Sequence, residues 1–339
     1  MNLSANMTRT LVGVAVAVLA GASLAGCGSS GESAGSGENT STVTVYSTMK
    51  PEVQGQLAAD FESRTGIKVA WTRELSSALT RRYDEESNAG KHNVDVLTMG
   101  EEAYAIGKAS EFIDLTGLEG MSAVPQEWRL TDQTFTPTFA PEKIAYNKAK
   151  FKGREDELPT SWKDLLDPRF KGGKILYTDP RSNPALTGKT LYAVVQAEGD
   201  QYLSGLAAQQ PVIVASSSAG MEELAAGTGE LLVSSYDMNL LAYQDKGAPI
   251  GLVGPFVPMT GLTFYTQIPK AAPHMDNAKR FVEYMSSMQG QTIINKGIGV
   301  SPLGKSVPGS LTMPENAAHP DPSAVSDQLP HYLDLLGIK

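Results

Sequence analysis

Residues 43–100 decide the fold: VTVYSTMKPEVQGQLAADFESRTGIKVAWTRELSSALTRRYDEESNAGKHNVDVLTMG. Val43-Thr44-Val45-Tyr46 is a β-branched run and reads as a strand. Pro51–Thr65 then spaces Val53, Leu57 and Phe61 four residues apart, which is one face of a helix. Gly66 supplies the left-handed residue that ends such a helix. Ile67–Trp71 is a second strand, and Ser76–Ala89 is a charged helix closed by Gly90. Val94–Leu97 is a third strand, leaving through Met99-Gly100-Glu101-Glu102. Strand–helix–strand alternation at this spacing predicts an α/β protein with a parallel sheet and crossover helices.

The theme recurs further along the chain. Lys143–Tyr146, Lys174–Tyr177, Val212–Ala215 and Leu231–Val233 read as strands. Thr190–Ala197, Asp200–Gln209 and Ala219–Ala226 read as helices, and Ser161-Trp162-Lys163-Asp164 as a capping box opening a short helix that Pro168 stops. Asp276 is placed to cap a helix with Ala278, Phe281, Val282 and Met285 inside. Beyond Ser306 the chain is Pro-rich, and only Tyr332–Leu336 looks able to dock.

Upstream of residue 43 the chain reads as an address. Met1–Arg9 is polar with one basic residue, and Leu11–Leu24 is almost wholly apolar, the n- and h-regions of a secretion signal. The run is too short to span roughly 30 Å of hydrocarbon, which takes about 20 helical residues. Leu24-Ala25-Gly26-Cys27 resembles the lipobox of bacterial lipoproteins, which implies cleavage before Cys27 and acylation of its sulfur. Cys27 is the only cysteine, so the chain has no internal disulfide to make. Gly28–Thr42 is mostly Gly, Ser, Glu and Thr, a composition that behaves as a flexible coil. The expected layout is a signal peptide at 1–26 and a tether at 27–42 that holds a folded part on a lipid anchor outside the cytoplasm.

The formal charge is −9, and removing Arg9 with the signal takes it to −10. That balance argues against nucleic acid, which calls for a basic patch. The signs of an enzyme are missing too. His92, His274, His319 and His331 stand in no metal-binding spacing, and no GxSxG elbow, P-loop or GxGxxG occurs. No catalytic residue, resident cofactor or resident metal is expected.

In open α/β sheets, ligands bind off the carboxyl ends of the strands. Here those ends are polar: Ser47-Thr48, Gly100-Glu101-Glu102, Asp179–Asn183, Ser216–Ser218 and Ser234–Asp237. Each also lies near a helix N-terminus, where free N–H groups favour an anion. Five such loops predict one shared cleft.

These segments together resemble the ferric-, thiamine- and phosphonate-type periplasmic binding proteins, the extracellular solute-binding proteins of ABC importers. The similarity runs from Val43 to about Ser301. It is carried by Val43–Ser47, Phe61 with Thr65–Val69, Val94–Val96, Ile144–Asn147, Trp162–Pro168, Lys246–Pro249, Ala278–Phe281 and Ser286–Gln291. The resemblance implies a type 2 periplasmic-binding-protein fold, with two parallel-sheet lobes joined by two crossing strands. Lobe one would be 43–136 plus 259–310, lobe two 137–258, and 311–339 a Pro-rich C-terminal tail. It also implies hinge closure over one small-molecule solute, ABC permease and ATPase partners, and a monomer.

The solute is read from the cleft loops. Ferric members carry adjacent tyrosines after the strand matching Leu231–Val233; here Tyr236 is kept and Asp237 replaces the second. Phenolates suit a hard trivalent ion, so the change favours a small anionic or zwitterionic organic solute over Fe³⁺. Tyr236, Asp237 and Glu101 are the metal-facing set if iron is the cargo, and thiamine or a polyamine is a lesser alternative. For the organic reading, Ser47, Thr48, Ser182, Asn183, Ser217 and Ser218 would offer hydroxyl and N–H groups to a phosphonate, phosphate or carboxylate. Arg181 would add a bidentate clamp. Glu101 and Asp237 would face an amine, and Tyr46 and Tyr236 would pack on the ligand.

Overall fold

A computed structural model describes residues 41–244, 246–313 and 317–339, which lie in one compact unit. The signal, Cys27 and most of the tether lie outside the described residues. The chain opens with β1 (Thr42–Ser47), α1 (Pro51–Thr65), β2 (Lys68–Arg73), α2 (Ser76–Asn88), β3 (Val96–Met99) and α3 (Glu102–Gly107). β1 lies between β2 and β3, parallel to both, with Ser47 level with Arg73 and Thr98. α1 ends as its sequence predicts: Gly66 has φ 70° and returns its N–H to the Glu62 carbonyl. Val53, Leu57 and Phe61 are buried on its inner face.

The chain then crosses to a second sheet through β4 (Phe139–Pro141) and β5 (Lys143–Asn147), followed by β6 (Ile175–Thr178). The predicted capping box forms, with the Asp164 carboxylate accepting from the Ser161 N–H at 3.0 Å, but it opens a 3₁₀ turn over Trp162–Leu166. After β6 come α4 (Lys189–Glu198), α5 (Gln201–Ala208), β7 (Val212–Val214), α6 (Ser217–Ala225), β8 (Leu231–Ser235), α7 (Asp237–Gln244) and β9 (Ile250–Val253). The chain returns through β10 (Gly261–Thr263) and β11 (Tyr265–Gln267) and adds α8 (Met275–Ser286), α9 (Met288–Asn295) and α10 (Pro322–Leu336).

Strand order is β11-β3-β1-β2 in the first sheet and β7-β6-β8-β5-β9 in the second. Each sheet has the expected parallel core, and one antiparallel strand joins each, β11 in the first and β5 in the second, with β9 paired antiparallel to β5 at the edge. β4 and β10 pair with each other, antiparallel, as the two crossing strands. This is the type 2 periplasmic-binding-protein architecture, with two lobes on a two-strand crossing.

Two large apolar cores follow. The first packs α1, β1 and α8, with Phe61 and Phe281 edge to face at 5.1 Å. It also takes in Leu186 and Met238 from the far side of the crossing, so the lobes share an apolar seam. The second core surrounds Phe151, Trp162, Phe170 and Leu203.

Two elements differ from the sequence reading. α8 begins at Met275 with His274 in the cap position, and Asp276 sits in its first turn. The buried Asp95 carboxylate draws His274 in, accepting from its N–H at 2.7 Å and lying 3.0 Å from Nδ1. The tail is not confined to a short docking segment at Tyr332–Leu336. Asp321 caps a 15-residue helix, α10, which packs on α4 and α5 and buries Tyr332 and Leu336 in the second core. Pro322 begins that helix, where a proline costs nothing.

At the crossing, Glu142 is 1% exposed and shares a cluster with Thr190 and Thr260. Among the described residues no cation joins it: the neighbouring Lys143 pairs with Asp237, and Lys189 pairs with Glu102 across the lobes. Burial therefore pushes the Glu142 carboxyl up to about 8.

Candidate functional site

A cleft of about 750 Å³ opens between the lobes at the carboxyl ends of the strands. One wall comes from the exits of β1, β2 and β3, the other from the exits of β6, β7 and β8. Parallel strands bring their carboxyl ends to one edge, so loops far apart in sequence meet there.

Of the residues read from sequence, Thr48, Glu101, Arg181, Ser182, Asn183, Ser217, Ser218 and Tyr236 line this cleft. Ser216 caps α6 by accepting from the Ala219 N–H at 3.1 Å. Ser217 donates to the Ser234 carbonyl at 2.7 Å. Ser234 has φ 79°, a conformation costing a non-glycine residue on the order of 1 kcal/mol, and its hydroxyl meets that of Thr187 at 2.6 Å. That turn is where β8 gives way to Tyr236. A π-helical turn over Pro184–Gly188 shapes the neighbouring loop after β6 on the same wall.

Three expectations need correction. Tyr46 turns into the core behind the sheet, where its hydroxyl donates to Glu86 at 2.9 Å and Arg82 lies 4.5 Å above its ring. Side chains alternate along a strand, so Tyr46 and Ser47 point to opposite faces. Ser47 is fully buried, and its Oγ accepts from the Met49 N–H rather than reaching the cleft. Asp237 is drawn to Lys143, whose Nζ is 2.7–2.8 Å from its two carboxylate oxygens, and it does not line the cleft. Arg181 does line it, but its guanidinium is already bonded to Asp179 at 2.7 Å and to the Lys339 carbonyl at 2.7 Å.

The structure adds lining residues that sequence reasoning missed: Lys50, Arg73, Ser76, Ser77, Tyr104 and Asn239. Arg73 and the two serines sit at the exit of β2, so the strand-end rule would have found them had it been applied to that strand. Lys50 stands two residues past Thr48. Burial, then the nearby Arg73, bring the Lys50 amine down to about 8. Burial raises the Glu101 carboxyl, partly offset by Lys189. Burial pushes the Tyr236 phenol up to about 12, and Arg73 works against that shift. Tyr104 donates to Asp84 at 2.8 Å. Among the described residues, no three His, Cys, Asp or Glu side chains gather as they would around a metal.

A cleft between two sheet-bearing lobes on a two-strand crossing is built to enclose a small solute. Residues 41–297 match the family model described as bacterial extracellular solute-binding protein. The chain belongs to that family. Members capture solutes and work with the permease and ATPase components of ABC importers, as transport components and not as enzymes. Among the described residues no helix is long and apolar enough to cross a membrane.

Similar proteins include iron uptake protein A1 of Synechocystis, 27% identical and covering 87% of this chain and 88% of that one. A periplasmic protein of Salmonella paratyphi A named for 2-aminoethylphosphonate binding is 25% identical over 70% of this chain and 69% of its own. Among solved structures, iron-bound HitA from Pseudomonas aeruginosa aligns with TM-score 0.68 at 22% identity, over 87% of this chain and 99% of that chain. The substrate-binding protein of an ABC transporter from Agrobacterium tumefaciens aligns with TM-score 0.72 at 16% identity, over 89% and 96%. At these identities the structural likeness concerns the fold.

Proposed function

We propose that this solute-binding protein is the lipid-anchored receptor of an ABC importer, taking a small organic anion or zwitterion of phosphonate, phospho-compound or carboxylate type. The observation that carries this reading is the charge left over in the cleft. Of its charged lining residues, Arg181 is tied to Asp179 and Glu74 to Arg82, while Lys50 and Arg73 have no carboxylate partner among the described residues. Glu101 alone remains on the acidic side, held toward its neutral form by burial. The N-terminus of α6 adds N–H groups on the facing wall.

In this reading lobe one is 43–136 plus 259–310 and lobe two is 137–258. Ligand contacts to both lobes favour closure, and the closed form is the one a permease reads. Cys27 carries the lipid, 27–42 is the tether, and the protein acts as a monomer.

Ferric iron is the second reading, favoured by the names of two similar proteins and by Tyr236 in the cleft. Against it, Asp237 is held by Lys143, which leaves only Tyr236 and Glu101 of the expected ligand set facing the cleft. Calorimetric titration of metal-free protein separates the two. The organic reading expects saturable binding of phosphonates or phospho-compounds. Tight Fe³⁺ binding with a charge-transfer band, and no heat from any organic anion, overturns it.

A further inference from the structure

We infer that Lys50 and Arg73 of one lobe, with Asn239 of the other, hold a doubly charged phosphoryl or phosphonyl group of the solute. The inference rests on the anion reading above and names the residues and the class of group.

Ser47 and Arg73 are level in adjacent parallel strands, so the chain leaves both strands side by side. Lys50 follows three residues after Ser47, at the start of α1, where it makes no side-chain cap. Two cations thus share one wall of a concave site. Neither makes an ion pair or a side-chain hydrogen bond among the described residues. Of the nearby acids, Glu74 goes to Arg82 at 3.2 Å, while Glu52, exposed on α1, makes no ion pair with Lys50 among the described residues and only partly offsets the burial and the Arg73 charge that act on it. Glu101 and Tyr104 from the β3 exit share that wall, and Tyr236 and Arg181 face it from lobe two. Two like charges held together with no ion-paired carboxylate weaken the folded state, and a bound anion removes that cost.

The other wall supplies a matching donor. Asn239 lines the cleft, is 2% exposed, and its Nδ2 has no hydrogen-bond partner among the described residues. Its N–H bonds the Tyr236 carbonyl at 2.9 Å, and Tyr236 lies within the field of Arg73. Lys50, Arg73 and Asn239 therefore converge from both lobes. Two full positive charges and an unfilled donor match a dianion with three oxygens better than a single carboxylate.

A consequence follows for protons. Burial and Arg73 hold the Lys50 amine at about 8, and an adjoining dianion raises it. Near pH 8 about half of the Lys50 amines are neutral, so binding takes up a fraction of a proton. Well below that pH the amine is already charged, so uptake by Lys50 vanishes, and a ligand that binds as the dianion releases its own second proton instead.

The test is calorimetric titration with inorganic phosphate and methylphosphonate at pH 8 and pH 6.5, in buffers of differing protonation enthalpy. Wild type is expected to bind at least one of them, with proton uptake at pH 8 only. Lys50→Met and Arg73→Met each weaken binding by about tenfold or more, the usual loss of a charge-assisted hydrogen bond. Lys50→Arg keeps the binding and loses the uptake, because a guanidinium stays charged. Both positions face the cleft, and a thermal midpoint no lower than that of wild type in each variant shows that folding is intact. Unaltered affinity in both methionine variants, or unaltered uptake in Lys50→Arg, overturns the inference and leaves the anion reading standing. Wild-type binding of organic carboxylates alone overturns the dianion assignment. A response to Fe³⁺ and to no anion overturns the anion reading itself, and this inference with it.

Discussion

Glu142 shows how a single residue sets the character of the crossing. Its carboxyl is buried beside the hydroxyls of Thr190, Ser234 and Thr260, and burial holds it at about 8. The folded state therefore binds a proton that the unfolded chain, with an ordinary glutamate, has released. Between about pH 4.5 and pH 8 the native state is the better proton binder, so stability falls as pH rises through that window. The loss is on the order of a few kcal/mol, and it ends once the native carboxyl has ionised. Glu142→Gln keeps the shape and removes the charge. Thermal unfolding from pH 5 to pH 9 is expected to show a falling midpoint for wild type, a flatter profile for the variant, and a more stable variant at pH 8. At this scale the sequence was only partly legible. Tyr46 and Asp237 were placed correctly along the chain, yet a one-residue step on a strand turns Tyr46 to the far face, and Lys143, 94 positions away, takes Asp237 out of the cleft. Neither outcome is written in the local sequence.

Elements were more legible where the pattern is strong and the ends are marked. α1 has its apolar spacing and its glycine stop, and both appear as expected, with Pro51 at its first position. α10 is the contrary case. Pro330 stands inside it, a substitution that costs an isolated helix about 3 kcal/mol, so propensity argues against the whole segment. Burial offsets that cost: Tyr332 and Leu336 enter the second core, and Tyr192 lies 6.4 Å from Tyr332 ring to ring. Tertiary packing of this kind overrides propensity and is visible only once α4 and α5 are in place. Tyr332→Ala is expected to cost about 3 kcal/mol, read as a lowered denaturation midpoint with an unchanged slope. An unchanged midpoint would mean that α10 contributes little to the stability of lobe two.

The whole molecule was legible in outline because one rule governs it. Alternating strands and helices force parallel sheets, and parallel sheets gather their carboxyl ends at one edge. The lobe exits read from sequence therefore meet in the cleft, with the exit of β2 as the omission. The seam between lobes was not legible. Leu186 and Met238 lie in polar-looking loop and helix-start contexts, yet they are 0% and 1% exposed within the first core. Opening that frees both side chains costs about 3 kcal/mol or more in lost apolar burial, which holds the lobes together near the crossing. On the proposed reading, a solute that touches both walls adds to the same balance and favours closure.

The most direct measurement of the central claim is mass spectrometry of small molecules that remain with the protein after purification from its native host under non-denaturing conditions. The account predicts a near-stoichiometric organic solute carrying a phosphonate, phosphate or carboxylate group. Stoichiometric ferric iron with no such organic anion would contradict it.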